Sequence, residues 1–424
     1  MSKLTIRVLG GTREVGRSAI LLDTGKTRVL LDYGMKLIPK QHPQFPPMVD
    51  EEVDAILLSH AHLDHSGSIP RLYRRGRAPP IYGIDITRDY SEILLYDAIK
   101  VAKIKDHSLG YGADEVRRAL NNFRPIEYGV PFRVGDLEIT AYNAGHIPGS
   151  AMFYIKYDSS TLLYTGDFNT SRSRLMPAAD IDEIPKTDFL ITESTYAFKE
   201  HPPRDKQEVL LKNVVLETIK ARGTAIIAGF AIGRLLEVAM ALKAQGYKGR
   251  LFLDGMARRS TEITESYPER VRDYNEMALV AREITFVKNW AMRKKVAKRP
   301  SVILTTSGMI EGGPVHYYLK EKGEDENSSI TLTGYQIEGT EGRRLLEEGK
   351  VEIDGEDRWI LMKVNQLNFS AHASRSGIMK LIHSVRPSGV MVVHGEDSEK
   401  FANQLEEKEG ISAFSPEVDE EVLI

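Results

Sequence analysis

Ile56-Leu57-Leu58-Ser59-His60-Ala61-His62-Leu63-Asp64-His65 is the stretch on which the reading of this chain turns. An apolar run typical of a buried strand leads directly into three imidazoles and one carboxylate. His60 and His62, two apart at a strand end, project the same way. Asp64 and His65 are positioned to turn toward a second point as the chain enters a helix expected over Gly67–Tyr73. One loop thus offers two metal half-sites. The ordinary alternatives, a solvated His-rich loop or core histidines, are disfavoured by this spacing directly after an apolar strand. Four further residues close apolar or Gly-rich segments in the same manner. Asp32 ends Val29-Leu30-Leu31, His146 sits in Ala144-Gly145-His146-Ile147-Pro148-Gly149, Asp167 follows Leu162-Leu163-Tyr164-Thr165-Gly166, and His394 follows Val390-Met391-Val392-Val393. Taken singly, each has a structural explanation as a turn cap or loop residue. Together with the cluster they point to one shared centre at a sheet edge.

Composition narrows the chemistry. The chain has 424 residues, no cysteine, and 57 basic against 60 acidic residues for a net charge of −3. Without cysteine there is no disulfide, iron–sulfur cluster, zinc ribbon or catalytic thiol, so a metal must be held by His, Asp and Glu. No apolar run reaches the ~18 residues of a membrane span. The N-terminal Met1-Ser2-Lys3-Leu4-Thr5-Ile6-Arg7-Val8 alternates like a strand rather than a secretion signal, and a cytoplasmic protein is expected. The near-neutral charge leaves any nucleic-acid case to local patches.

The first third is strand-rich, with runs at Thr5–Leu9, Ala19–Leu22, Arg28–Asp32 and Ala55–Ser59 at hairpin-like distances, then helices over Asp89–Ile104 and Asp114–Asn122. After about residue 195 the rhythm becomes strand–loop–helix, with a helix over Lys206–Ala221, an apolar run Thr224–Ala228, a helix over Gly233–Ala244, and short apolar runs at Leu251–Leu253, Val302–Thr306 and Ile330–Leu332. That alternation predicts a parallel, Rossmann-like sheet. Near 365 the earlier style returns. The expectation is a second domain inserted into the first, with residues 1–195 and 366–424 forming one domain and 196–365 the other.

His60-Ala61-His62-Leu63-Asp64-His65, Asp32, His146 and Asp167 resemble the signature set of the metallo-β-lactamase fold. Ile191-Thr192-Glu193-Ser194-Thr195-Tyr196, Ser370-Ala371-His372 and Val393-His394-Gly395 resemble the three additional motifs of its β-CASP branch of nucleases, and the whole chain is similar to archaeal homologues of the endonuclease subunit of the cleavage and polyadenylation specificity factor. The resemblance implies an αββα sandwich carrying an inserted Rossmann-like α/β domain, and the start on the first strand matches the shorter group without KH domains. DNA-repair members lack the third-motif histidine, so His394 favours RNA. The resemblance further implies two Zn²⁺ per chain, the first held by His60, His62, His146 and Asp167, the second by Asp64, His65, Asp167 and His394. Asp167 would bridge and Asp32 would orient the metal loop. Nitrogen and carboxylate ligands also accept Mn²⁺ or Fe²⁺.

Such a pair, about 3.5–4 Å apart, lowers the pKa of a water and clamps phosphoryl oxygens. His372, not needed as a ligand, is the candidate to protonate the leaving oxygen, with Glu193 holding it. The implied activity is hydrolysis of RNA phosphodiester bonds in RNA processing or decay, at a site between the two domains. Endonuclease and 5′→3′ exonuclease, as in the ribonuclease J type, both remain open. A small-molecule hydrolase on the same metal core is the other enzyme reading, disfavoured by the size of the insertion, and a scaffold subunit is disfavoured because every ligand position is filled. For single-stranded RNA, Lys288–Arg299 offers Arg293, Lys294 and Lys295 beside Trp290, and Arg71–Arg77 is a comparable basic run. Ser307 and Tyr335 lie in Gly-containing turns where backbone N–H groups commonly meet phosphates, and Ser370 belongs to the second additional motif. A homodimer and a place in an RNA-processing or transcription complex complete what the resemblance implies. The C-terminal Glu417–Ile424 is read either as a strand added to a partner or as one that finishes the sheet internally.

Overall fold

The computed structural model describes residues 4–76 and 78–424. Met1–Lys3 of the expected first strand and Arg77 of the basic run lie outside them. The chain forms two compact units, one of residues 4–172, 178–200 and 371–424, the other of residues 173–177 and 201–370.

The first unit contains two seven-stranded sheets. One runs in the order Glu421–Leu423, Thr5–Gly10, Ala19–Asp23, Arg28–Tyr33, Ala55–Leu57, Ile81–Ile84 and Phe123–Ile126. The other runs Ala413–Phe414, Gly389–Val393, Phe189–Glu193, Ser160–Tyr164, Ala151–Tyr157, Leu137–Asn143 and Phe132–Val134. Successive residues of Ala19–Leu22 and Val29–Leu31 are all buried, and so are Phe189–Glu193 and Val390–Val393. Strands buried on both faces require covering layers on both sides. On the first sheet one cover includes Ile69, Leu72 and Tyr73 from a 3₁₀ helix. On the second it is Ile378, Leu381, Ile382 and Val385 with Phe401, Ala402 and Leu405, from the helices Arg375–Val385 and Ser398–Glu409. This is the metallo-β-lactamase αββα sandwich.

Two local expectations change. Arg28–Tyr33 pairs with Ala55–Leu57 in parallel, so no hairpin joins them. In place of a helix over Gly67–Tyr73, a single α-turn covers Leu63–Ser66 and a 3₁₀ helix covers Ile69–Arg75, with Pro70 near its start. Proline suits a first helical turn, where its missing N–H costs nothing. The C-terminal strand finishes the sheet internally, with Thr5 opposite Leu423 and Arg7 opposite Glu421.

The second unit has a six-stranded sheet, all parallel, in the order Ile284–Phe286, Leu251–Asp254, Val302–Thr305, Ala225–Ala228, Ser329–Leu332 and Lys363–Gln366. Helices Arg204–Lys220, Arg234–Ala244, Tyr274–Glu283 and Pro314–Lys322 connect and cover it. The segment 173–177 is held here by Glu237, whose carboxylate accepts from Ser173 Oγ (2.8 Å), Arg174 N (3.0 Å) and Leu175 N (2.6 Å). No helix among the described residues is long and apolar enough to cross a membrane.

Candidate metal centre

Parallel pairing decides where the polar residues meet. Ser160–Tyr164, Phe189–Glu193 and Gly389–Val393 run in one direction, so Asp167, Glu193 and His394 emerge at the same edge. Arg28–Tyr33 and Ala55–Leu57 likewise deliver Asp32 and the loop from Ser59 to His65 to one edge. Gly34 lets the loop lie close, since a β-carbon there would fall 1.7 Å from the Asp64 carbonyl oxygen. Asp32 and His394 both have positive φ, 56° and 49°. Strained backbone of this kind costs about 1–3 kcal/mol per residue and persists only where surrounding contacts fix it.

Two sets of ligand atoms result. His60, His62, His146 and Asp167 form the first, and Asp64, His65, Asp167 and His394 the second; within each set the atoms lie within 4.8 Å of one another. In the first set His60 Nε2 and His146 Nε2 stand 3.1 and 3.2 Å from His62 Nδ1. The same two Nε2 atoms are 3.5 and 3.7 Å from Asp167 Oδ2. Donors at Zn–N distances of about 2.0–2.1 Å on tetrahedral corners stand roughly 3.3–3.4 Å apart, so the spacing suits one small cation. In the second set His65 Nε2 and His394 Nε2 lie 3.3 and 3.6 Å from Asp167 Oδ1, and His394 Nε2 lies 3.8 Å from Asp64 Oδ2. His65 Nε2, His394 Nε2 and Asp167 Oδ1 are buried and have no hydrogen-bond partner, although they converge. Buried polar atoms converging without partners are what a cation would satisfy. The donor set therefore fits divalent metal in both positions.

The other ring nitrogens explain why these atoms face inward. His146 Nδ1 donates to the Ala371 carbonyl oxygen at 2.9 Å, leaving a lone pair on Nε2. Asp32, fully buried, accepts from Ser59 N (2.7 Å), Ser59 Oγ (2.6 Å), Tyr164 Oη (2.7 Å) and His65 Nδ1 (2.6 Å). With its hydroxyl proton committed to Asp32, Ser59 Oγ can only accept from His60 Nδ1, 3.1 Å away. His394 Nδ1 meets Ser18 Oγ at 2.8 Å, and Ser18 N donates to the Asp64 carbonyl oxygen at 2.8 Å. Partners of this type fix the tautomer and aim of a metal-binding imidazole.

Electrostatics divide the ligands. Burial holds His60 and His146 well below the ordinary imidazole range and brings His62 down to about 4. Burial acts the same way on His65, but the Asp167 and Asp32 carboxylates outweigh it and push that ring well up. Burial alone would raise Asp167; His394, His65 and His372 instead hold it far below the usual carboxylate range. His372 stands beside the ligands with Nδ1 3.0 and 3.1 Å from the Glu193 carboxylate oxygens and 3.9 Å from Asp167 Oδ2. Burial opposes its charge, yet Glu193 and Asp167 raise it to about 9. Glu193 is itself fixed by the Phe168 backbone N–H at 2.9 Å.

All ten expected metal, acid and orienting residues thus lie together in the first unit. Sequence reasoning missed Ser59, Tyr164 and Ser18. Ser59 and Tyr164 stood inside quoted segments, one position before His60 and three before Asp167, whereas nothing local marks Ser18. Ser307, Tyr335, Ser370, Arg293, Lys294 and Lys295 belong to the second unit. Arg293 is committed there: Nε and Nη2 donate to the buried Asp254 at 2.6 and 2.8 Å, and Tyr318 Oη adds a third bond at 2.7 Å. Lys294 Nζ lies over the half-exposed Trp290 ring at 5.6 Å.

Comparison with known proteins matches three successive regions. Residues 20–194 match the metallo-beta-lactamase superfamily domain, 235–345 the Beta-Casp domain, and 360–416 the Zn-dependent metallo-hydrolase RNA specificity domain. The chain is 33% identical to RNase aCSPSF2 of Saccharolobus solfataricus over 99% of its own length and 85% of the relative's. It is 31% identical to Probable RNase MJ4 of Methanocaldococcus jannaschii, covering 98% of this chain and 99% of that one. Transcription termination factor FttA of Methanococcus maripaludis is 34% identical across 92% of this chain and 66% of its own. A crystal structure of a protein of unknown function from Enterococcus faecalis has the same fold, with a TM-score of 0.62 at 14% identity and full coverage of both chains. With near-complete alignment to such relatives and all three regions in order, this chain belongs to the β-CASP branch of the metallo-β-lactamase family of nucleases.

Proposed function

We propose that the chain is a zinc-dependent ribonuclease that hydrolyses internal RNA phosphodiester bonds in RNA processing or decay. The observation that carries this reading is the pair of ligand sets sharing Asp167, with the Glu193–His372 pair beside them. Two divalent cations held there supply Lewis acidity toward phosphoryl oxygens and a nucleophilic water of lowered pKa. The chain's own groups do the rest. Asp167 gives one carboxylate oxygen to each set, Asp32 fixes His65 and through Ser59 His60, and Ser18 fixes His394. Glu193 orients His372 through Nδ1 and keeps it protonated at neutral pH, so that the ring delivers a proton to the departing ribose oxygen. The relatives named as RNases, and the matched RNA specificity domain, support RNA as the polymer. A homodimer working within an RNA-processing assembly is part of the same reading, checked by light scattering.

The decisive experiment combines elemental analysis with cleavage of linear and circular RNA. Two Zn²⁺ per chain and cutting of the circle are expected; a circle left intact while linear RNA is degraded from its 5′ end would replace the endonuclease by an exonuclease. The role of His372 is tested by His372→Ala. Loss of a general acid costs about 10²–10⁴-fold on an ordinary phosphodiester. On RNA whose scissile bridging oxygen is sulfur, the thiolate leaves without a proton and the penalty should largely vanish. An equal penalty on both substrates would give His372 a positioning role instead.

A further inference from the structure

Just past the metal loop, the 3₁₀ helix Ile69–Arg75 carries two arginines with unusual surroundings. Arg71 is half-buried and Arg74 exposed, and among the described residues neither has an ion pair or a side-chain hydrogen bond. The Arg71 guanidinium lies 4.3 Å over the Phe45 ring, and its Nη1 is buried without a partner. Tyr111 Oη nearby is likewise buried without a partner. Both guanidinium groups approach one stretch of backbone: a β-carbon at Gly110 would lie 3.4 Å from Arg71 Nε and 3.8 Å from Arg74 Nη1. Gly110 has φ +73°, a conformation that glycine adopts without strain.

A desolvated guanidinium normally finds a carboxylate, because burying an unpaired charge is costly. Here burial lowers Arg71, Arg74 lowers it further, and only tyrosines act in the other direction. Stacking on Phe45 fixes the plane of the guanidinium but satisfies none of its N–H groups. Two cations beside Gly110 and an unsatisfied phenol form a donor set, and the ligand that suits it is a tetrahedral oxyanion. Its place is informative. Leu63, which stands between His62 and Asp64 in the metal loop, packs in the same apolar clusters as Tyr111.

We propose that Arg71, Arg74 and Tyr111 form a phosphate-binding subsite of the metal-bearing unit, which grips a backbone phosphate of single-stranded RNA away from the scissile bond. The polymer's identity rests on the ribonuclease reading; the oxyanion chemistry does not. Arg71 and Arg74 are positioning residues, acting on binding rather than on bond cleavage.

The test uses the metal-loaded full chain. Affinity is measured by fluorescence anisotropy with a phosphorothioate RNA that resists cleavage, over a range of salt. Turnover of bis(p-nitrophenyl) phosphate, which engages the metal centre alone, is measured in parallel. Arg71→Gln/Arg74→Gln should weaken RNA binding roughly tenfold or more. It should also flatten the salt slope by roughly 0.7 for each phosphate no longer held. Metal content and turnover of the small diester should be unchanged. Tyr111→Phe, which keeps the ring's packing, should weaken RNA binding a few-fold and provides the answer if the double variant misfolds. Unchanged RNA affinity and slope in metal-loaded Arg71→Gln/Arg74→Gln, or in Tyr111→Phe where the double variant fails to fold, would overturn the subsite. If these variants instead lose only the line-broadening of inorganic phosphate in ³¹P NMR, the site takes free phosphate and the RNA assignment falls. A wild type that binds the probe yet never cuts RNA would sink the ribonuclease reading while leaving the subsite to be judged by anisotropy.

Discussion

The two halves of the metal centre share Asp167 and differ in almost everything else. The first is built from three imidazoles that burial keeps free of protons, His62 down to about 4. The second mixes carboxylates with imidazoles, and there Asp167 and Asp32 outweigh burial to make His65 bind a proton more readily than a free imidazole. Protons and metal compete for the same lone pairs. The first half is therefore weakly contested by protons and the second strongly contested, although the two stand side by side. Local charge, more than ligand type, sets how tightly each position should hold its ion.

The strongest break in that comparison removes what the halves have in common. Asp167→Ala is expected to purify with fewer than two metals per chain and to show no detectable RNA cleavage; full metal content with intact activity would end the two-metal model. Next come the selective losses. His62→Ala should empty chiefly the first half and His394→Ala the second, each leaving close to one equivalent by elemental analysis, with cleavage abolished in both. Both variants losing both ions would mean that the halves cannot load separately.

Acid should separate the halves without any mutation. As pH falls from 8 toward 5, protons should displace metal from the second half first, because the raised His65 is protonated at higher pH, whereas the lowered His62 resists protonation to about 4. Stepwise release measured by dialysis and elemental analysis checks this, and simultaneous loss of both ions would refute it. The smallest effects belong to the orienting groups. Asp32→Asn is expected to cost about 10–100-fold in affinity, mainly at the second half. Ser18→Ala should cost less, since it removes a single hydrogen bond to His394.

The candidate ligand set was legible because its members follow apolar or Gly-rich segments, and parallel strands carry such ends to one edge. His60, His62, Asp64 and His65 announce themselves by spacing, and Asp32 and Asp167 by following strands. What was not legible depends on partners far along the chain. Ser18 serves His394 across 376 positions, and no local pattern marks a serine for that task. Arg293 reads as part of an open basic run, yet Asp254, 39 positions away, takes its fork. The runs Arg28–Asp32 and Ala55–Ser59, expected at hairpin-like distance, proved a parallel pair because the chain from 34 to 54 is long enough for a crossover. In the second unit, strand–loop–helix alternation did specify strand direction, since parallel neighbours need a crossover.

The order of ligands along the chain has a consequence for synthesis. Translation delivers His60, His62, His146 and Asp167 well before His372 and His394. A nascent chain can thus hold all four ligands of its first position long before the second has its final ligand, although Ala371, which orients His146, comes only with His372. The pairing of Glu421–Leu423 with Thr5–Arg7 comes later still. On the proposed reading, a ribosome-bound nuclease becomes competent only after residues 372 to 394 have left the tunnel.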